Sequence, residues 1–232
     1  MQPRSGDWEF PGVTPSRQKR SREMTAALLR AGAEMLRTRS LSELSIEALC
    51  GQVGATVGAF YSRFDSKEAY FNALIALTAR DGDRMLSLLA QDDTLKNAEI
   101  AELCSLLLGG IIGWMRNHQG VLRAALQHDD TRPDRWSTFK GLARNTTAAA
   151  TPAMLRAMGR SRSAAAKKTV AFGFQVVLGT LVNAILNDPG PLSLHDDEMK
   201  ARLSGCLSQL LQAEVKATVS TASPRKSPKR RP

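Results

Sequence analysis

The chain has 232 residues, 43% apolar and 23% charged, and a formal net charge of +10. That length allows one sizeable core or a small domain plus a larger one, and sparse aromatics among abundant Ala and Leu favour helices over sheets. Three distant cysteines (Cys50, Cys104, Cys206) form no CxxC pair, which argues against a disulfide frame or a zinc site and for a reducing compartment, with small buried hydrophobes as their role.

No apolar leader opens the chain, and the longest apolar runs, Leu103–Met115 and Val170–Leu186, fall short of the ~20 residues a membrane span needs. A soluble, cytoplasmic protein is expected. The charge is uneven: residues 1–70 hold ten basic and eight acidic residues, 71–220 hold seventeen and fourteen, and the last twelve hold five and none. Half the excess thus sits in the tail; a polyanion partner fits, with a folded part only mildly basic.

Residues 1–15, with Pro3, Gly6, Pro11, Gly12 and Pro15, read as a disordered arm. Ser16 then caps a helix to about Thr38 whose apolar stripe is Met24, Ala27, Leu28, Ala31, Met35 and Leu36. Its opening turns carry Arg17, Lys19, Arg20 and Arg22, which oppose the helix dipole. A nearby phosphate backbone would explain them; a solvated face is the alternative.

The stretch Leu44–Phe64 has the form of a helix-turn-helix. Ser45 caps a first helix with Glu47 in its first turn, and Ile46, Leu49, Cys50 and Val53 share one face. Gly51 and Gly54 end it, Gly54 supplying the positive φ of a tight turn. Thr56 caps a second short helix whose Phe60 and Phe64 point inward. The outer face keeps Val57, Gly58, Ala59, Tyr61, Ser62 and Arg63, small and nearly uncharged, suited to close approach to base edges.

A long helix follows from Ser66 to about Gln91, capped by Asp65 with Glu68 as reciprocal partner or by Ser66. Helices are expected at about Asn97–Asn117, His118–His128 and Pro133–Met158, with Pro152 as a kink or break in the last. Ser163–Asn187 is a strongly apolar helix, and His195-Asp196-Asp197-Glu198 opens a final one to about Thr218 with Met199, Leu203, Cys206, Leu207, Leu210 and Leu211 as its stripe. The Pro-rich basic end, Thr221–Pro232, reads as disordered, either tracking DNA non-specifically or a solubilising end.

Gly54-Ala55-Thr56, Tyr61-Ser62-Arg63-Phe64 and Ser66-Lys67-Glu68 stand at the spacing found in the TetR family of bacterial transcriptional regulators, which the chain resembles over about Arg17 to Leu74. It departs at Val57, where the family often has Lys, and at Ser40, where a loop Gly is common. The resemblance implies an all-α fold: an arm at 1–15, a three-helix DNA-binding domain at 16–65, a helical effector-binding and dimerisation domain at 66–218, and a basic tail at 219–232. It also implies a homodimer through the last two helices (about 163–187 and 196–218), double-stranded operator DNA as partner, a small effector, and repression as the mode.

On this reading Ser45, Thr56, Tyr61, Arg63 and Lys67 hold phosphates, Val57 and Ala59 touch thymine methyls, Gly58 admits close approach, and Ser62 faces base edges. With so few readers, part of the specificity falls to DNA shape. Candidate lining residues for an apolar effector pocket are Trp114, Met115, Trp136, Met154, Met158, Phe172 and Phe174, each more readily explained as plain core. Filling the pocket would shift the helix Ser66–Gln91 and so the spacing of two reading heads.

Two other classes stay open. The doublets His128-Asp129 and His195-Asp196, with His118, suggest an all-helical metal-dependent phosphohydrolase of the HD type, although both doublets stand where capping Asp is common. A ligand-binding dimer with only non-specific DNA affinity is the other. No P-loop, GxGxxG or nucleophile elbow is present, so no catalytic residue, metal or cofactor is assigned.

Overall fold

Four helices start where a hydroxyl takes up an otherwise free backbone N–H: Ser45 Oγ accepts from Ala48 N at 3.0 Å, Thr56 Oγ1 from Ala59 N at 3.1 Å, Ser66 Oγ from Ala69 N at 3.0 Å and Ser163 Oγ from Ala166 N at 3.1 Å. Each cap stabilises its helix by about 1 kcal/mol. The structure, a computed structural model, describes residues 10–15, 18–127 and 134–221. Its order is α1 (Lys19–Met35), α2 (Ile46–Val53), α3 (Val57–Tyr61), α4 (Lys67–Ala90), a 3-10 turn (Asp93–Lys96), α5 (Ile100–Gln127), α6 (Asp134–Ala157), α7 (Ala164–Leu186) and α8 (Asp197–Thr221). The fold is all-helical, with a helix-turn-helix head made by α1–α3 and a helical body behind it.

In the head, α1 packs on α2 and on α4, so the linking helix is part of the core it leaves. Phe60, Phe64 and Tyr70 are fully buried, their ring centroids 4.9 to 5.3 Å apart. The Tyr70 hydroxyl donates to the Leu28 carbonyl at 2.7 Å. It fits because residue 32 is glycine: a Cβ there would lie 1.7 Å from the Tyr70 oxygen. At the loop position where the resembled family commonly has glycine, Ser40 exchanges hydrogen bonds with Glu43, Ser40 N and Oγ both donating to Glu43 Oε2 at 2.8 Å. Those bonds hold the Glu43 carboxyl below its usual pKa.

Several expectations need correction. Residues 10–15 are not a free arm. Phe10 and Val13 are buried, Val13 bridges to Phe64, Thr14 N donates to Arg63 O at 2.8 Å and Asp65 N to Gly12 O at 3.0 Å. The Arg80 guanidinium lies 4.2 Å from the Phe10 ring centroid, a cation–π contact that covers it. Residues 1–9 and Ser16, the expected cap, lie outside the described residues; α1 starts after Gln18 without a side-chain cap.

The expected break between Asn117 and His118 is absent, because α5 runs unbroken through it. Gly120 serves close packing, not termination: a Cβ there would meet Leu36 and Arg37 backbone atoms at 2.5 and 2.6 Å. Beside it Arg123 Nη2 donates to the Leu36 and Arg37 carbonyls at 3.1 and 2.8 Å, closing the C-terminal end of α1 from another helix. Pro152 does not end α6. It removes the donor for the Ala148 carbonyl, and both residues are exposed, so the missing bond falls on the solvent side of the helix. His128–Pro133 lies outside the described residues.

α7 packs on α5, α6 and α8. Among the described residues it is the one helix long and apolar enough to cross a membrane, and its Val170, Phe174, Val177, Leu181 and Ile185 are buried inside the body. α8 continues to Thr221, so residues 219–221 are helix rather than tail, while 222–232 lie outside the described residues. Cys50 and Cys104 are buried and Cys206 is exposed, contrary to the expectation of three buried thiols. Burial pushes the Cys104 thiol up to about 12, which keeps it inert at neutral pH.

Candidate nucleic-acid interface

α2 ends at Gly54, whose φ of 67° lets Ala55 N return to the Cys50 carbonyl at 2.9 Å. The chain therefore reverses within a few residues and starts α3 at Thr56. α3 is a five-residue helix and too short to hold itself in water. Phe60 anchors it on the ring cluster, and the opposite side faces solvent with Val57 36% and Tyr61 52% exposed.

Gly58 and Ser62 are exposed with them, and Ala59 is half-buried. A Cβ on Gly58 would meet nothing nearer than the Thr56 oxygen at 3.9 Å, so the glycine leaves open space for another backbone. Thr56 and Ser45 are exposed caps; each hydroxyl oxygen accepts from an amide and keeps its proton for an outside acceptor. Ser62 Oγ donates to the Ala59 carbonyl at 3.0 Å, which leaves it able to accept.

Lys67, half-buried at the start of α4, has Nζ 3.5 Å from the Ser42 carbonyl, and burial lowers the ammonium pKa. Arg63 differs from expectation. Its guanidinium folds back onto the Ala59 carbonyl, donates to Ser62 Oγ at 3.1 Å and reaches Ser21 Oγ of α1 at 3.4 Å. It ties the end of α3 to α1 and is not an extended phosphate arm in this conformation. Of the cations expected at the opening of α1, Lys19 and Arg20 are exposed, Arg22 is half-buried and Arg17 lies outside the described residues.

The geometry presents a small, uncharged face flanked by hydroxyls and one lysine. Such a surface can lie against base edges while its rim holds phosphates. Lys67→Ala is expected to lower the slope of log K against log salt by roughly 1 on any duplex, whereas Tyr61→Phe weakens binding with the slope unchanged. Titrations over a series of salt concentrations decide this; an unaltered slope for the lysine variant removes Lys67 from the contact set.

The body contains two neighbouring cavities that share Ile111 and Thr146 as walls. One, of about 170 Å³, lies among Leu86, Leu89, Leu95, Leu107 and Ala150, with Asp92 and Arg156 at its edge. The other, of about 60 Å³, is walled by Met85, Trp114, Met115, Phe139, Leu142 and Leu178. Trp114 and Met115 of the expected set thus line a cavity. Met154, Met158 and Phe174 are buried but line neither, Phe172 is 56% exposed on α7, and the side chain of Trp136 lies outside the described set. Phe139, Leu142 and Thr146 were missed because α6 reads as a polar helix until its packing against α4 is known.

The imidazoles of the hydrolase reading are engaged elsewhere: His118 Nε2 lies 3.0 Å from Asp81 Oδ2 and His195 Nε2 2.8 Å from Gln119 Oε1. His128 lies outside the described residues, and among those described no three His, Cys, Asp or Glu side chains converge.

Residues 28–74, which span the head from mid-α1 into α4, match the sequence family described as bacterial regulatory proteins, tetR family. No curated protein matches the chain by sequence. Among solved structures the chain is similar to a tetR-family transcriptional regulator from Streptomyces coelicolor, with 16% identity, 89% of this chain and 92% of that one covered, and a TM-score of 0.60. A transcriptional regulator from Cytophaga hutchinsonii aligns at 14% identity, 84% and 97% coverage and a TM-score of 0.58. AmtR from Mycobacterium smegmatis aligns at 17%, 90% and 98%, with a TM-score of 0.52. These likenesses establish the fold, and the match over residues 28–74 identifies the head as a DNA-binding domain of the kind found in tetR-family bacterial regulatory proteins.

Proposed function

We propose that two copies of this chain form a cytoplasmic repressor that reads a palindromic operator with α3 of each copy and releases it when a small, mostly apolar effector enters the body. The observation that carries the reading is the outward face of α3. Val57, Gly58, Tyr61 and Ser62 are exposed on a helix clamped from behind by the buried Phe60, Phe64 and Tyr70 rings. Ser45, Thr56 and Lys67 surround that face and supply donors for phosphates, and Val57 and Ala59 supply methyls for thymine.

Dimerisation is supported by what α7 and α8 leave uncovered. α7 exposes Phe172, Val176, Gly179 and Thr180 along one side, and α8 exposes Gly205, Cys206, Gln209 and Ala213. Apolar and small side chains in two adjacent stripes suit packing against their own copies across a two-fold axis.

The test is selection of bound duplexes from a random pool with the purified full chain. The expected winner is a palindrome whose half-sites lie one helical turn or a multiple of it apart, about 10–10.5 base pairs per turn. A pool that shows no enrichment rejects operator recognition and leaves a ligand-binding dimer with general DNA affinity. Enriched sites without symmetry reject the paired reading heads.

A further inference from the structure

The segment 135–187 carries eight basic residues and no acidic one, a bias for which the face of α3 has no use. Arg162, Lys167, Lys168 and Lys216 are exposed and form no ion pair among the described residues. The fold brings them to one end of the body. Arg160 Nη2 donates to the Val215 carbonyl at 3.4 Å and Thr169 Oγ1 to Glu214 Oε2 at 3.0 Å. These bonds tie the turn between α6 and α7, and the start of α7, to the last turns of α8. Residues 222–232, with five more basic residues and no acidic one, follow directly on that helix end. Lysines in the opening turns of α7 oppose its dipole, so helix stability does not account for Lys167 and Lys168.

This end lies far from the reading helix, and α4 spans the distance. The ring of Tyr70, in its first turn, is 5.3 Å from that of Phe60 of α3. Leu89, in its last turn, shares a cavity wall with Arg156, just before Arg160 in the chain. From Tyr70 to Leu89 the helix rises about 28 Å at 1.5 Å per residue. Screening at physiological salt limits charge interactions to about 8 Å, so these cations add little to the hold on a duplex lying against α3.

We propose that this pole is a second, sequence-independent surface for the phosphate backbone of duplex DNA, separate from the face of α3. Arg162, Lys167, Lys168 and Lys216 supply the charge, and the small exposed Ser161, Ala164 and Ala165 among them let a backbone come close. Single-stranded nucleic acid is the poorer fit, because no aromatic residue stands between Phe139 and Phe172 for bases to stack on. A molecule that holds DNA at both ends bridges two duplexes. That bridging rests on the function proposed above, whereas binding at the pole does not.

The test is fluorescence anisotropy of a labelled duplex of arbitrary sequence with Tyr61→Ala/Lys67→Ala, in which the face of α3 is disabled. Binding is expected to persist, with log K falling linearly against log salt. Adding Arg162→Gln, Lys167→Gln, Lys168→Gln and Lys216→Gln is expected to cut affinity roughly tenfold or more and to lower the slope by roughly 3. Loss of binding already in the α3 variant, or an unchanged slope after the four further substitutions, overturns the assignment. Tighter binding of a single-stranded RNA of the same length overturns the choice of duplex DNA. Location is checked in the unaltered protein, where excess duplex is expected to protect Lys167 and Lys168 from acetylation, read by peptide mass spectrometry. Full reactivity of both lysines in the complex overturns the proposal without any variant having to fold. Neither measurement depends on sequence preference, so failure of operator selection and failure of this surface are separate results.

Discussion

Phe64→Ala is expected to lower the stability of the head by about 3–5 kcal/mol and to abolish specific DNA binding at working temperature. Phe64 is fully buried, with ring centroids 5.0 Å from Phe60 and 4.9 Å from Tyr70, and its backbone bridges to Val13. Removing the ring deletes its own burial and also two aromatic pairs worth about 0.5–1.5 kcal/mol each beyond area. α3 has only five residues and no stability without that floor. Urea denaturation followed by circular dichroism measures the loss. Tyr61→Ala is the companion: 52% exposed on the same helix, it should change stability little while weakening DNA binding. Equal destabilisation by the two variants would mean that the ring cluster does not hold the head together.

Gly120→Val is expected to destabilise by about 1–3 kcal/mol, or more, and to reduce DNA affinity as well. The new Cβ would fall 2.5 Å from the Leu36 carbonyl carbon and 2.6 Å from Arg37 N, both backbone, where no rotamer change gives relief. α5 must back away from α1, and the Arg123 bonds to the Leu36 and Arg37 carbonyls go with it. Gly113→Ala, two turns earlier in α5, meets nothing within 4 Å and should instead stabilise by about 0.5–1 kcal/mol through helix propensity. Thermal unfolding of both variants gives the signs; destabilisation by Gly113→Ala would show that the glycines of this helix act through backbone flexibility rather than through contact.

The helix-turn-helix was readable because its determinants are local. Ser45, Gly54 and Thr56 specify caps and a turn within a dozen residues, and Phe60 and Phe64 fall on one side by spacing alone. The long helix from Lys67 was equally plain, and the structure chooses Ser66 over Asp65 as its cap. Where sequence reading failed, the missing information lay far along the chain. Proline and glycine at residues 10–15 look the same whether they drift or are clipped down by Phe64 and Arg80. The junction expected between Asn117 and His118 is helix throughout, and the role of Gly120 shows only when the backbone of Leu36 is placed against it.

For the candidate sites the same distinction holds. The outward residues of α3 follow from helical periodicity, whereas the inward turn of Arg63 depends on Ser21 of α1, forty-two residues earlier. Large apolar side chains were a fair guide to the body's interior but not to its voids. Trp114 and Met115 border one, while Met154 and Phe174 are packed solid. Helix-interior glycine was the overlooked clue. It costs about 1 kcal/mol relative to alanine, and Gly82 and Gly120 both mark places where another element presses on the helix.

The attachment of α1 to α5 has a mechanical consequence. A head joined to its body through α4 alone would swivel, but this one is pinned a second time by Arg123 and the Gly120 contact, on a helix other than the linker. In a dimer of the kind proposed, the pair of heads then acts as callipers with a stiff frame. An operator lengthened by a single base pair turns one half-site by about a tenth of a helical turn, and callipers that cannot twist at the jaw lose their grip on it.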